Sequence, residues 1–210
     1  KIMNDEDAAE NIEQSKDESS EMNLPVLPLF GKWDMSEVVV EDPSLAKALN
    51  LDSFRVPHTG GRHANKVLGK ANLPILERFI NNMMRSEKYT GKKVQAYNVV
   101  NKAFDIIYEK KKENPVQILV RALENASPRA EVVSLRYGGI RVYSGVDVSP
   151  TRRIDVTLRH ICQGAIEKAG KARSIEKALS KELMLASEGN ADSFAVSKKE
   201  EKERQAEAAH

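Results

Sequence analysis

Two arginines flank a pair of glycines in the second half of this sequence, in a pattern typical of a site that binds anions. Apolar and polar residues alternate in EVVSLRY and IRVYSGVDVS around Gly138 and Gly139, and this period of two predicts a β-hairpin with a tight turn. Arg136, Arg141 and Tyr143 would then lie near its tip. Because guanidinium groups bind phosphates and aromatic rings stack on bases or riboses, such a hairpin suits a nucleic acid. The alternative is a solvated hairpin whose arginines bind nothing.

A second arginine pair lies in the stretch SPTRR, residues 149–153, whose serine and proline are typical of the start of a helix. Arg152 and Arg153 would occupy the first turn, where the helix dipole disfavours cations by about 0.3–1 kcal/mol each. A phosphate bound at this helix N-terminus would remove the conflict. The alternative is local pairing with Asp155 or Asp147.

The other chemistry-bearing residues form no recognisable catalytic or metal-binding pattern. His160 and Cys162 are two positions apart on a predicted helix and therefore face different ways, whereas His58 and His63 lie in a loop without paired cysteines. The dipeptide Gly69-Lys70 lacks the further glycine and the serine or threonine of a phosphate-binding P-loop. We therefore predict that the protein is not an enzyme and has no metal, no cofactor and no small-molecule substrate.

Charge is distributed unevenly along the chain, although the formal net charge is only +2. Residues 1–54 hold 4 basic and 13 acidic side chains, residues 55–173 hold 23 and 10, and residues 174–210 hold 6 and 8. A basic middle between acidic ends is typical of a domain that binds a polyanion. The alternative is that the lysines only cover helix surfaces.

The composition also excludes some classes of protein. No apolar run approaches the roughly 18 residues of a membrane span, so we expect no membrane association. The acidic start of the sequence lacks the features of a signal peptide. Since Cys162 is the only cysteine, no internal disulfide can form, and a reducing, cytoplasmic location is expected.

A mainly helical fold must position these residues. Apolar side chains recur at helical spacing in five stretches, at about residues 74–84, 94–112, 115–127, 149–170 and 174–189. The last residues also favour a helix but are polar on all sides. The sequence thus predicts a mainly α fold, a bundle of five to six helices with one protruding β-hairpin, a ribbon arm.

The run NPVQILVRALENASPRAEVVSLRYGGIRVYSGVDVSPTRR closely resembles the small-subunit ribosomal protein seven family, the universal S-seven family. The likeness continues through ALSKELMLASEGNADSFAVSKKEEKERQAEA. Further upstream, LPLFGKWD and PILERFINNMMRSEKYTGKK resemble the archaeal and eukaryotic branch. The resemblance extends over about residues 27–207.

This resemblance implies a helical domain with a ribbon arm in the small ribosomal subunit of the cytoplasm. It implies binding to the 3′ major domain of the 16S-type rRNA, nucleation of head assembly, and contacts with neighbouring head and platform proteins. The arm would lie near the exit-site tRNA and the mRNA path. The implied RNA-binding residues are Arg55, His58, Arg62, His63, Lys66, Lys70, Arg78, Lys92, Lys93, Arg136, Gly138, Gly139, Arg141, Tyr143, Arg152, Arg153 and Arg159.

The sequence and the resemblance together predict four parts of the chain. Residues 1–23 form a disordered acidic tail, and residues 24–54 form an extended segment packed on the core, since two prolines there accompany several apolar side chains. Residues 55–195 form the helical rRNA-binding domain, with the hairpin at 131–148. Residues 196–210 form a peripheral C-terminal helix.

Two other functions are consistent with the same features. An architectural protein that binds double-stranded DNA could use a β-arm, but such arms usually carry an apolar wedge at the tip and belong to small dimers. Here the tip is a glycine pair and the chain has 210 residues. A helical protein–protein adaptor would present a large apolar surface rather than a basic middle region.

Overall fold

The structure is a computed structural model that describes residues 28–52, 54–86 and 89–209. The acidic tail predicted at 1–23 and the first residues of the 24–54 segment lie outside the described residues.

Seven α-helices and one antiparallel hairpin form in the described residues, so the predicted fold class is confirmed. Two short 3₁₀ turns, Arg62–Asn65 and Gly69–Asn72, lie in the basic loop ahead of the main helices. The elements are α1 (Pro43–Ala46), α2 (Ile75–Met83), α3 (Lys93–Lys111), α4 (Pro115–Ala126), β1 (Ala130–Tyr137), β2 (Ile140–Asp147), α5 (Pro150–Ala172), α6 (Ile175–Ser187) and α7 (Phe194–Ala208).

A capping side chain marks the start of three helices, α1, α4 and α7. The Asn114 side chain caps α4 by accepting a hydrogen bond from the Val116 amide at 3.0 Å, as its Asn-Pro step predicts. The prediction that α5 ends at Gly170 is wrong, because the helix continues to Ala172 and Arg173 takes the left-handed conformation, with φ +61°. A single glycine inside a helix costs only about 1 kcal/mol and does not end it.

The core lies where α6 packs against α3, α4, α5 and α7. Each of the longer helices ahead of α7 contributes an apolar stripe, and Phe79, Phe104, Leu119 and Ile154 are among the largest side chains that are fully buried. Cys162 belongs to this core, and burial raises the pKa of its thiol. It therefore packs as a small apolar residue.

The described part of the N-terminal segment lies along α3. Leu29 is buried, the Phe30 ring meets Tyr97 edge-on at 4.8 Å, and the Trp33 ring lies 4.9 Å from that of Tyr108. The sequence did not suggest the short helix α1, which Asp42 caps by accepting a hydrogen bond from the amide of Ser44. This brings Asp42 beside the bundle.

The hairpin projects beyond the bundle. Tyr137 pairs with Ile140 across Gly138 and Gly139, whose φ angles of +53° and +91° are those that a tight two-residue turn requires. Residues 134–143 are all exposed. At the base, α7 packs against both strands, so the arm is anchored there and free at its tip.

The C-terminal helix is more firmly held than its polar sequence suggests. It starts at Phe194, two residues before the predicted boundary, and buries Ala195, Val196 and Ala206. Before its first turn, Ser193 donates a hydrogen bond to the fully buried carboxylate of Glu182 at 2.8 Å. This helix therefore joins α5, α6 and the base of the arm.

Gly164 permits the close meeting of α5, α6 and α7. A Cβ atom added at Gly164 would lie 2.6 Å from Cβ of Phe194 and 3.1 Å from the Glu182 carboxylate, whereas one added at Gly170 on the same helix would meet nothing within 4 Å. We expect Gly164→Ala to lower the free energy of unfolding by about 1–3 kcal/mol through overpacking. The control Gly170→Ala should raise it by about 0.5–1 kcal/mol. Urea denaturation measures both, and equal effects would contradict this packing.

Candidate nucleic-acid interface

Arg153 is a buried structural residue. Its side chain is 6% exposed, and its guanidinium donates to Asp42 at 3.0 Å, Ser127 at 2.7 Å and Ser44 at 2.5 Å. The carboxylate comes from the N-terminal segment, 111 positions away in the chain. The acid Asp42 therefore stands beside Arg153 where a phosphate was predicted, and it is neither Asp155 nor Asp147, the two acids that the alternative named.

Arg152 is also matched by an acid, although it stays on the surface. Its Nε donates to Glu131 at the start of β1 at 2.7 Å, and Lys202 of α7 reaches the other carboxylate oxygen at 3.0 Å. The hydrogen bond from Arg152, supported by Lys202, lowers the pKa of Glu131 to about 2 despite partial burial. Since the first turn of α5 already has carboxylates beside it, the predicted phosphate site there is replaced by internal ion pairs.

Arg78 and Lys93 are further predicted site residues that the structure places in internal ion pairs. Arg78 is 4% exposed and donates to Asp155 at 2.8 Å, while Lys93 donates to the buried Glu77 at 2.7 Å. Burial alone would raise the pKa of Asp155, but hydrogen bonds from Arg78 and from Lys70 hold it below its usual range. These pairs join the basic loop to α2, α3 and α5.

A groove runs beside α5, formed by three adjoining depressions of about 290, 270 and 480 Å³. Arg159 lines all three, is exposed, and makes no ion pair within the described residues. We call this feature the α5 groove; its polar and basic lining includes His63, Lys70, Asn81, Asn82, Arg85, Arg152, Arg159 and Lys202.

The α5 groove brings together predicted residues that are far apart in sequence, and it adds one that the sequence did not single out. Arg85 follows the end of α2, is exposed, and has no ion pair in the described part of the chain. A cation after a helix C-terminus is ordinary capping chemistry, so only its position beside Arg159 marks it. His160 lies near the floor, where burial and the nearby Lys202 lower its pKa to about 4, so it is neutral at pH 7.

One face of the exposed half of the arm carries two arginines. Arg136 lies directly opposite Arg141 on one face, beside Tyr143, and neither arginine has an ion pair within the described residues. Like charges directly opposite each other destabilise a strand pair. Their placement makes an anion from outside the chain favourable at this face.

The basic loop supplies a third group of free cations. Arg55, Arg62 and Lys66 are exposed and unpaired within the described ranges, and His58 is also exposed. Lys92, just before α3, shares these properties. Unpaired cations thus lie on the loop, in the α5 groove and on the arm, and others lie elsewhere on the helix surfaces, such as Arg204 of α7.

The part of the chain that the structure describes contains no group of three or more histidine, cysteine, aspartate or glutamate side chains that could hold a metal ion. None of its helices is both long and apolar enough to cross a membrane.

The low pKa of Glu131 gives a test of the ion pairs at the arm base. Because the folded protein favours the charged carboxylate, its contribution to stability is complete above about pH 4.5 and is lost as the pH falls towards 2. We expect Glu131→Gln to lower the free energy of unfolding by about 1 kcal/mol at pH 7, and the difference from the wild type to shrink below pH 4.5. Urea denaturation across pH measures this.

The control is Glu200→Gln, which replaces an exposed carboxylate of α7 with no ion pair among the described residues and should change the free energy of unfolding at pH 7 by less than about 0.5 kcal/mol. A Glu131→Gln difference that stays constant from pH 7 to pH 3 would contradict the assignment.

Comparison with known proteins gives one consistent family. The model of the family described as ribosomal protein S7p/S5e matches residues 47–210. The chain is 52% identical over 183 residues to the small ribosomal subunit protein uS7 of Methanothermobacter thermautotrophicus, covering 87% of this chain and 98% of that relative. It is 50% identical over 182 residues to the protein of the same name from Picrophilus torridus, covering 86% and 97%, and 51% identical over 182 residues to that of Thermoplasma volcanium, covering 86% and 99%.

Proposed function

The chain belongs to the ribosomal protein S7p/S5e family, as the sequence resemblance predicted, and on this premise we propose that it binds the 3′ major domain of small-subunit rRNA. It is a structural protein of the small ribosomal subunit and not an enzyme. We further propose that the protein nucleates assembly of the subunit head in the cytoplasm. Its arm lies near the exit-site tRNA and the mRNA path, and its other neighbours are head and platform proteins.

The division of cations into two sets is the observation that supports this proposal. The buried arginines, Arg78 and Arg153, are paired with carboxylates inside the protein. Four exposed arginines have no acid partner among the described residues, namely Arg85 and Arg159 in the α5 groove and Arg136 and Arg141 on the arm. Phosphates of a folded RNA would supply the missing negative charge at several separated places, and such contacts position a protein on a nucleic acid.

The architectural DNA-binding alternative requires a different partner for the same cations. Family membership disfavours it, and the glycine pair at the turn is not an apolar wedge. Filter binding to the rRNA fragment and to duplex DNA across a salt series separates the two, because only the proposed function predicts tighter binding to the RNA at every salt concentration.

The paired arginines are unsuitable for testing RNA binding. Replacing Arg153 would leave the Asp42 carboxylate partly buried without its partner, and breaking a buried pair costs about 3–5 kcal/mol. If such a variant bound RNA more weakly, the cause would be its loss of stability and not the loss of a contact with the RNA. Arg159 is the better probe, since no internal ion pair depends on it in the described part of the chain.

We expect Arg159→Ala to weaken binding to the 3′ major domain rRNA several-fold and to reduce the slope of log K against log salt by about 1, because one phosphate contact is lost. The free energy of unfolding should be unchanged. The control Arg204→Ala removes an exposed cation of α7 that does not line the α5 groove. Equal losses in the two variants would contradict a specific role for the groove.

Shortening the arm tests its assignment without touching the core. Deleting Arg136, Tyr137, Ile140 and Arg141 leaves the glycine turn between the paired strands. We expect the unfolding free energy and the initial rRNA affinity to change little, since these residues are exposed. Reconstituted small subunits should retain exit-site tRNA more weakly than wild-type subunits.

A double variant, Arg136→Ala with Arg141→Ala, serves as the matched control that removes charge but keeps the arm length. Unfolding of the shortened protein would show that the arm belongs to the core. Unchanged tRNA retention in both variants would refute the placement of the arm.

A further inference from the structure

A separate apolar pocket lies between the basic loop and the start of α3. Its volume is about 380 Å³, within the roughly 300–1,000 Å³ typical of ligand pockets. It shares no lining residue with the α5 groove. The residues that line it are Val56, Pro57, His58, Lys93, Val94 and Tyr97.

The aliphatic walls of this pocket are left in water. Val94, in the first turn of α3, is 74% exposed, and Val56, in the loop, is 59% exposed. The Tyr97 wall is held in place by the edge of the Phe30 ring at 4.8 Å. The pocket is therefore a concave apolar surface, fixed on one side by the core, that nothing in the described chain covers.

Most of the cations beside the pocket have no acidic partner. The ammonium of Lys93 is held by Glu77 at 2.7 Å, so Lys93 offers the pocket its aliphatic stem. Arg55, His58 and Lys92 are exposed and have no ion pair within the described residues. Residues 54–74 contain no acid at all. An apolar pocket thus adjoins unpaired positive charge.

We propose that this pocket receives one unpaired nucleobase of an RNA, with the phosphates on either side of that nucleotide held by Arg55 and Lys92. The inference rests on the proposed function, because it requires the chain to bind RNA. An unstacked base has apolar faces that suit the valine and tyrosine walls, and RNA recognition commonly uses such splayed bases. An apolar peptide would fill the pocket equally well but would leave the cations unmatched, and the charge therefore favours RNA.

The contact would add affinity that does not depend on salt. Burial of the exposed valine by a base is a hydrophobic contribution, whereas the flanking cations act through counterion release. The two can be separated in one experiment, since an uncharged substitution in the pocket should change the affinity without changing its salt dependence.

The test compares Val94→Ser with Val67→Ser in filter binding to the 3′ major domain rRNA fragment. Val67 is the control because it is 96% exposed and lies in the acid-free segment 54–74 that supplies one wall of the pocket, but it does not line the pocket itself. We expect Val94→Ser to bind roughly five-fold more weakly, with an unchanged salt slope. Val67→Ser should bind as the wild type does. Equal affinities of both variants and the wild type would overturn the proposal, and so would equal losses.

An abasic scan of the fragment identifies the base. Each unpaired nucleotide is replaced in turn by an abasic one, and every RNA is measured against the wild type and Val94→Ser. At one position, we expect the abasic RNA to bind the wild type roughly five-fold more weakly than the intact RNA does. The same abasic RNA should bind Val94→Ser no more weakly than the intact RNA does, because the base and the valine make one shared contact. If every abasic RNA lowers the affinity of both proteins by the same factor, no base enters the pocket. If the wild type fails to bind the intact fragment, the proposed function itself is wrong.

Discussion

The ion pairs made by the first turn of α5 hold the two flanking parts of the protein on the helix bundle. Arg153 reaches Asp42 in the N-terminal segment, and Arg152 reaches Glu131 at the base of the arm. Both arginines lie at the positive end of the helix dipole, so without carboxylates beside them they would weaken the helix start. Because Arg153 is buried as well, its pair with Asp42 must form whenever the bundle is folded. One helix start therefore joins both the arm, which α7 also anchors, and the N-terminal segment, which also packs on α3.

This arrangement explains why the basic middle of the chain is only partly available to a partner. The cations that join loops and helices form ion pairs with Asp42, Glu77, Glu131 and Asp155. Several of those that remain lie on the loop, in the α5 groove and along one face of the arm. A partner must therefore offer negative charge at several places around the bundle, and a folded RNA does so. The apolar pocket at α3 adds a place where such an RNA is held by a base as well as by its backbone.

Much of the fold could be predicted because its signals are local. The glycine pair within alternating residues predicts the arm, and the Asn-Pro step predicts the start of α4. The partners of the helix-start arginines could not be found in this way, because Glu131 and Asp42 lie 21 and 111 positions away. Local reasoning therefore placed a phosphate where the fold places carboxylates. Arg85 was missed for a related reason, since only the packing of α2 against α5 brings it beside Arg159.

Under the proposed function, the buried, paired arginines hold the protein together, whereas the exposed, unpaired ones of the α5 groove bind the RNA. Modification of arginines by a dicarbonyl reagent, read out by mass spectrometry, distinguishes the two groups. The free protein and its complex with the 3′ major domain rRNA would be compared. We expect Arg85 and Arg159 to react in the free protein and to be protected in the complex, while Arg78 and Arg153 stay unreactive in both. Reaction of Arg153 in the free protein, or equal reactivity of Arg85 and Arg159 in the two states, would contradict this assignment.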